Sequence, residues 1–365
     1  MQDPEARKRA AWGFHDGMPE LDTAGPPLSH FEDAPAALFY FPVALYWTWL
    51  AVKYRSIGLP SLANPSIHSG GLCGESKSEV LNLLGPQGRA VLAQFATIDG
   101  HDPSQAFAAM RDAGLDFPIV AKPDIGRRGN GVEIVADRNE LERYLARFPR
   151  GRRLILQRLV TEEGEAGVFY VRKPGEPRGR IVSLTLKYFP QVIGDGETTL
   201  RALMSADPRA GQVAHLYARL GPRLETIPQA GEIVRLVDTG NHCKGAIFRN
   251  GQRFVTPEME ACFAAISDEI PGFHFGRFDV RFRSLADLQQ GRNFAIIEVN
   301  GAGSEATHIW DRRTRLHEAY RGLFEQIRLA FEIGAINRDR GMRPMSGVGL
   351  LRRYLWERRT MATYL

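Results

Sequence analysis

Between Phe117 and Asn300 the chain alternates short apolar runs with glycine-bearing loops, and this alternation limits its fold more than any other feature. The runs read "FPIVAKP", "VEIV", "RRLILQRLV", "GVFYVR", "RIVSLTLKYF", "GEIVRLVD", "GRFDVRF" and "NFAIIEVN". Each has strand length and is enriched in β-branched or aromatic residues. Helical spacing interrupts them at "RNELERYLARF", where Leu141, Tyr144, Leu145 and Phe148 share a face, and after the turn "GDGETT", where Thr198 or Thr199 supplies the N-cap. Helices are also expected at about 257–270 and 313–334. Upstream, "LPSLA" reads as a short buried strand, "NPS" and "SGG" as turns, and Glu75 to Leu84 as a helix. Elements in this order predict an α/β or α+β protein in which loops at strand ends bind ligands.

Two patterns in this frame carry chemistry. In "AKPDIGRRGNGV", Lys122 ends an apolar strand, and Gly126, Gly129 and Gly131 bracket Arg127, Arg128 and Asn130. Glycines let backbone N–H groups approach phosphate oxygens while the cations neutralise their charge, so the loop suits a polyphosphate. A basic hairpin with turn glycines would read the same way, and neither the P-loop nor the dinucleotide fingerprint is present. The second pattern is "GRFDVRF" with "IIEVN". Asp279 and Glu298 each sit on a strand, and Asn300 shares the Glu298 side because strand side chains alternate. Three oxygen donors converging from antiparallel strands suit a hard cation, whereas two acids at exposed strand ends are the simpler alternative.

These motifs, in the order "PIVAKP", "GRRGNGV", "LILQRLV", "LKYFPQVIGDGETTLRAL", "RFDV" and "IIEVN" over about 117–310, resemble the ATP-grasp superfamily of carboxylate–amine ligases. "RFD" with "EVN" is similar to D-alanine–D-alanine ligase; "VIGDGETTLRAL" and "VRLVDTGNHCKGA" are similar to the ATP-grasp domains of cyanophycin synthetase and fused glutathione synthetases. The resemblance implies two α+β subdomains gripping ATP. It places Lys122 on the ATP phosphates, Arg128 among the ATP-binding residues and Gly129, Asn130, Gly131 and Val132 in the mobile lid. Gln157, Arg158 and Leu159 fall at the adenine-facing hinge, Glu165 near the ribose and Lys187 at the terminal phosphate. Asp279, Glu298 and Asn300 match magnesium ligands, with manganese as an alternative ion, and Arg277 matches an arginine that stabilises the acyl phosphate and tetrahedral intermediate. The chain departs from the pattern where Gln157 replaces the hinge acid and where only Arg89 could replace a lysine expected before the grasp domain.

The implied activity is ADP-forming: a carboxylate is activated as an acyl phosphate, and an amine or amino acid attacks it to give an amide. A kinase on the same fold and a non-catalytic nucleotide-binding module are the competing readings. No Ser–His–Asp or Cys–His arrangement suggests covalent catalysis. For the substrates, Ser69, Gly70 and Gly71 form a small-residue loop, and the helix opened near Glu75–Lys77 could attract a carboxylate to its N-terminal amides, unless Ser76 merely caps a connection. Gly303, Ser304, Glu305 and His308 fall where related ligases contact the second substrate, and Glu305 could hold an amino group. His242 reads as a solvated loop histidine; Asn241 and Lys244 fall in a loop that faces nucleotide in such families.

The expected organisation is a polar arm over 1–35, a small α/β domain over 36–115, a small subdomain with the glycine loop over 116–190, a large subdomain with the metal site over 191–335, and a basic tail or helix over 336–365. Lys+Arg number 47 against 42 Asp+Glu, interleaved, so the clustered patch that nucleic-acid binding requires is missing. The three cysteines, Cys73, Cys243 and Cys262, lack metal spacing and suggest reduced thiols in the cytoplasm. The uncharged run "APAALFYFPVALYWTWLAV" is near the minimum length for a membrane span but carries Pro42, so a buried or interfacial helix is expected. Core packing explains it most simply; peripheral membrane contact or a hydrophobic substrate would explain it too, and a homodimer, common in the families resembled, stays open.

Overall fold

The computed structural model describes residues 17–22, 28, 29, 31, 32, 34–237 and 240–364, without the side chains of Leu216, Arg219 and Cys243. Helix α1 (Ala36–Lys53) is followed by one-turn helices at Leu59–Leu62 and His68–Gly71 and by α2 (Lys77–Asn82). Strand β1 (Phe95–Asp99), α3 (Pro103–Asp112), β2 (Ile119–Pro123), β3 (Glu133–Val135), α4 (Arg138–Arg147) and β4 (Arg153–Arg158) build a four-stranded antiparallel sheet in the order β1-β4-β2-β3. Its apolar face packs on α3 and α4 through Met110, Leu141, Tyr144 and Leu145. Asp137 caps α4 by accepting from Glu140 N, which fixes where the predicted amphipathic helix begins.

A second sheet is larger. Strands β5 (Gly164–Val171) and β6 (Arg180–Tyr188), β9 (Ile247–Asn250), β10 (Phe275–Phe282) and β11 (Phe294–Asn300) pair antiparallel in the order β11-β10-β5-β6-β9. One face is apolar: Val168, Tyr170, Leu184, Phe278 and Phe282 pack against Met259, Phe263 and Ile266 of α5 (Pro257–Asp268). Strand alternation then leaves the other face to polar residues, the arrangement a one-sided antiparallel sheet allows. A separate ribbon, β7 (Gln191–Ile193) with β8 (Ile233–Arg235), covers a satellite core around Leu200, Met204 and Tyr217. The long α6 (Leu316–Asp339) and the C-terminal α7 (Gly347–Met361) complete the chain. The mixed α+β class and the antiparallel strands agree with expectation.

The two sheets are stitched at one place. Ala93 N donates to Ile296 O at 2.9 Å and Ile296 N to Val91 O at 2.7 Å, so residues 91–93 extend the edge of β11 before the chain enters β1. The segment 36–115, expected as an α/β unit, therefore contributes one strand among the described residues, and that strand joins the small sheet. "LPSLA" is not a strand. Pro60 starts a one-turn helix there, and Leu59 O lies against Gly334 of α6 so closely that a Cβ at 334 would meet it at 2.2 Å. The N-terminal arm is partly outside the described residues, but its described part is bound down: Tyr188 Oη donates to Pro19 O at 3.0 Å, and Phe31 stacks on Phe39 at 5.4 Å.

Candidate active site

The polar face of the large sheet is built by register. Asp279 of β10 lies between Gly167 of β5 and Glu298 of β11, Arg277 lies opposite Asn300, and Glu165 of β5 lies between Arg281 and Lys187. Lys187, on β6, reaches across β5 to place Nζ 2.8 Å from Asp279 Oδ1 and 3.0 Å from Glu165 Oε1. The crossing depends on Gly167, where a Cβ would stand 3.0 Å from Arg277 Cδ and 3.3 Å from Asp279 Oδ1. Arg277 grips the same carboxylate from the other side, Nε to Oδ1 at 3.0 Å and Nη2 to Oδ2 at 2.9 Å. Bidentate charge-assisted pairs of this kind fix orientation as well as charge. Burial alone would raise the Asp279 carboxyl, but Arg277 and Lys187 outweigh it and hold the group at about 2. Burial disfavours the Lys187 ammonium, and Asp279 and Glu165 reverse that and raise it. Arg281 completes the network at 2.8 Å from Glu165 Oε2.

The three expected metal ligands share this face. Glu298 is partly open to the cleft, with Lys77 Nζ 3.5 Å from its Oε1. Asn300 Nδ2 donates to Asp279 Oδ2 at 3.1 Å, so its nitrogen rather than its oxygen meets the aspartate. Two carboxylates and a carboxamide oxygen suit magnesium in donor chemistry. Asp279, however, already shares both oxygens with cations, so a metal here must loosen its grip on Lys187 or Arg277. No group of three His, Cys, Asp or Glu side chains that could hold a metal occurs among the described residues.

Lys122 faces this network from the small sheet. It is buried, and its Nζ donates to Gln157 Oε1 at 2.7 Å and to Ile297 O at 3.0 Å, linking β2 to β4 and to β11. Burial without a directly bonded carboxylate lowers its pKa to about 8. Gln157, the partner of Lys122, also donates to Ala93 O at 3.2 Å in the stitching segment. Between the sheets lies a cleft of about 1000 Å³. Arg128, Gly129, Asn130 and Val132 line it from the glycine loop, and Arg158 and Leu159 from the end of β4; Gly131 does not line it, and its carbonyl accepts from Tyr144 Oη. Lys244 lines it too and donates to Gly129 O. Gly240 lies directly on Glu165, where a Cβ would come within 1.8 Å of Oε1.

The far end of the cleft mixes expected and unexpected groups. Gly71, Lys77, Gly303, Ser304 and Glu305 line it. Ser69 and Gly70 do not: Ser69 Oγ donates to Cys73 O, and Gly70 O accepts from Asn64 and Ala302 N, so both shape the loop behind the wall. The N-terminal amides of α2, expected to draw a substrate carboxylate, are taken by the chain's own Asp124, which accepts from Ser78 N and Ser76 Oγ. His308 turns into the interior, Nδ1 2.7 Å from Ser183 Oγ, and Arg89 is spent on Leu84 O. Glu305 is partly buried, and desolvation raises its pKa; its oxygens accept from Tyr40 Oη and Trp310 Nε1, both at 2.9 Å. His242 is not solvated: it stacks on Trp310 at 5.2 Å with Nε2 2.9 Å from Glu32 Oε1.

Four contributors escaped sequence reasoning. Glu75 is partly buried, and desolvation pushes it up to about 7; it accepts from Gly301 N at 2.9 Å. Tyr40 and Glu32 come from segments remote in sequence. The largest miss is α7, which is no solvated tail: Glu357 is buried and binds Arg127 Nε at 2.8 Å, and Tyr364 stacks on Phe148 at 5.9 Å beside the glycine loop. Glu357→Ala is expected to free that loop. Because Arg127 is half exposed, the loss is about 1 kcal/mol, read as about fivefold faster tryptic cleavage within residues 126–131 at unchanged global stability.

No family model and no curated protein matches the chain. Among solved structures it is similar to a bifunctional glutathione synthetase from Pasteurella multocida, at 15% identity and TM-score 0.35, over 68% of this chain and 36% of that one. It is also similar to the VanG D-Ala:D-Ser ligase from Enterococcus faecalis, at 13% identity and TM-score 0.41, over 74% of this chain and 64% of that one. The chain thus spans roughly a third to two thirds of the length of these structures. In this chain two antiparallel sheets close on one cleft, with a glycine loop and a lysine on the small sheet and an acid–amide pair ending the edge strand of the large one.

Proposed function

We propose that the chain is an ATP-dependent ligase that activates a carboxylate as an acyl phosphate and joins it to an amine, releasing ADP and phosphate. The observation that carries this reading is the meeting, in one cleft, of Lys122 and the glycine loop from the small sheet with Lys187, Arg277, Asp279, Glu298 and Asn300 from the large one. Cations at both walls would hold the polyphosphate, the loop amides would cover it, and the apolar Val120, Val160 and Ile297 beside the hinge would take the base. Magnesium or manganese, when bound by Glu298, Asn300 and Asp279, supplies charge neutralisation between the phosphate oxygens. Arg277, held in place by Asp279 and by Glu305 O at 2.9 Å, is positioned to stabilise charge developing on the transferred group. The acid is assigned to the Gly71, Lys77 and Ser304 end and the amine to the neighbourhood of Glu305.

Phosphate release from ATP and magnesium, assayed with pools of acids and amines and with ADP and AMP separated, tests the reading. ADP and phosphate that appear only with both partners support it. Phosphate retained on a single acceptor would instead identify a kinase, and AMP would rule out the acyl phosphate.

A further inference from the structure

Helix α1 is apolar on every side, which is ordinary for a buried helix and anomalous for one on the surface. Its inner face packs on α6: Tyr46 meets Phe324 at 4.7 Å, Trp47 meets Phe331 at 5.1 Å, and Leu50 is buried. Its outer face carries Leu38, Phe41, Leu45, Trp49 and Val52, each more than half exposed and spaced three or four residues apart along one stripe. The polar residue on that stripe, Thr48, turns its hydroxyl back to Ala44 O at 2.9 Å. The stripe continues onto a second element. Ile57 lies against Gly347, at the start of α7, and α7 exposes Val348, Leu351 and Leu355.

The charges around this surface have one sign. From Ala34 to Gly74 there is no acid, and Lys53 and Arg55 close α1. From Arg340 to the C-terminus six arginines face one acid, Glu357, which is buried against Arg127. The acids of α6 nearest α1, Glu325 and Glu332, are held by Arg328 and Lys173. A second copy of the chain would bring like charges together, whereas an anionic bilayer satisfies both the apolar stripe and its cationic border.

We propose that α1 and the outer face of α7 form a docking surface for anionic membranes. In this arrangement α1 lies in the interfacial plane, because its inner face stays packed on α6 and cannot be given to lipid. Trp49 and Phe41 enter the headgroup boundary while Lys53, Arg55, Arg352 and Arg359 meet lipid phosphates. The proposal does not depend on the ligase reading.

Flotation of the full chain with vesicles of phosphatidylcholine alone or with one-third phosphatidylglycerol tests it. The protein is expected to float with the anionic vesicles, much less with the neutral ones, and less at high salt. Leu45→Glu with Trp49→Glu, both exposed positions, should weaken binding by about tenfold or more, and Arg352→Glu with Arg359→Glu by about tenfold, with thermal stability preserved. Wild-type protein that stays unbound, or apolar variants that float equally well, would overturn it. So would a wild-type dimer in light scattering that the α1 variants convert to monomer, since the stripe would then be a protein interface.

Discussion

Asp279→Ala is expected to lose about 3 kcal/mol of stability, because it leaves the buried Lys187 with Glu165 alone and takes the bidentate partner from the partly buried Arg277. Lys187 and Arg277 both contact Asp279 within 3.0 Å; Lys187 and Asp279 are buried, and Arg277 is partly buried. The predicted fall in Tm is about 5–15 °C. Glu298→Ala should behave oppositely. Glu298 is partly exposed and its cationic neighbour, Lys77, lies 3.5 Å away, so stability should change by less than about 1 kcal/mol while activity is lost. Thermal unfolding of the two variants side by side separates a scaffold carboxylate from one available to a metal. The pH dependence follows with a definite sign. Asp279 is held at about 2 in the folded chain, below its unfolded value, so its contribution is complete above about pH 4 and disappears as pH falls toward 2. Asp279→Ala should remove that acid-side decline.

Lys122→Met is expected to reduce kcat/KM for ATP by about a hundred- to a thousandfold, the usual loss when one preorganised donor to a developing charge is removed. Its stability cost should be small, since an apolar chain of similar length replaces a buried amine whose charged form burial already disfavours. The wild-type profile carries its own test. With a pKa lowered to about 8, Lys122 is cationic below that pH and neutral above it, so KM for ATP should rise as pH increases through about 8. Lys122→Met should lack that limb. A limb that persists in the variant belongs to another group.

Much of this site was legible because strands write their geometry in alternation. The pairing of Asp279 with Glu298, and the shared side of Glu298 and Asn300, followed from two apolar runs and a period of two. Lys122 was legible as the charge that ends a buried strand. What could not be read was whatever depends on three strands at once. Lys187 reaches Asp279 because β5 lies between them and carries Gly167, and no spacing in the sequence announces that order. The helix start at Ser76 looked like an anion site and was one, but the anion is Asp124, supplied by a loop nearly fifty residues away. Likewise α7 had the composition of a solvated helix; its one acid, Glu357, was the signal that a charge had been kept for a partner.

The central claim is that this cleft binds ATP through a divalent cation, and calorimetric titration with a non-hydrolysable ATP analogue tests it without knowledge of either substrate. The account predicts micromolar binding with magnesium, weakened about tenfold or more by chelation or by Glu298→Gln, and nearly abolished in Lys122→Met. Binding that is indifferent to magnesium and to both substitutions, or no binding at all, would contradict it.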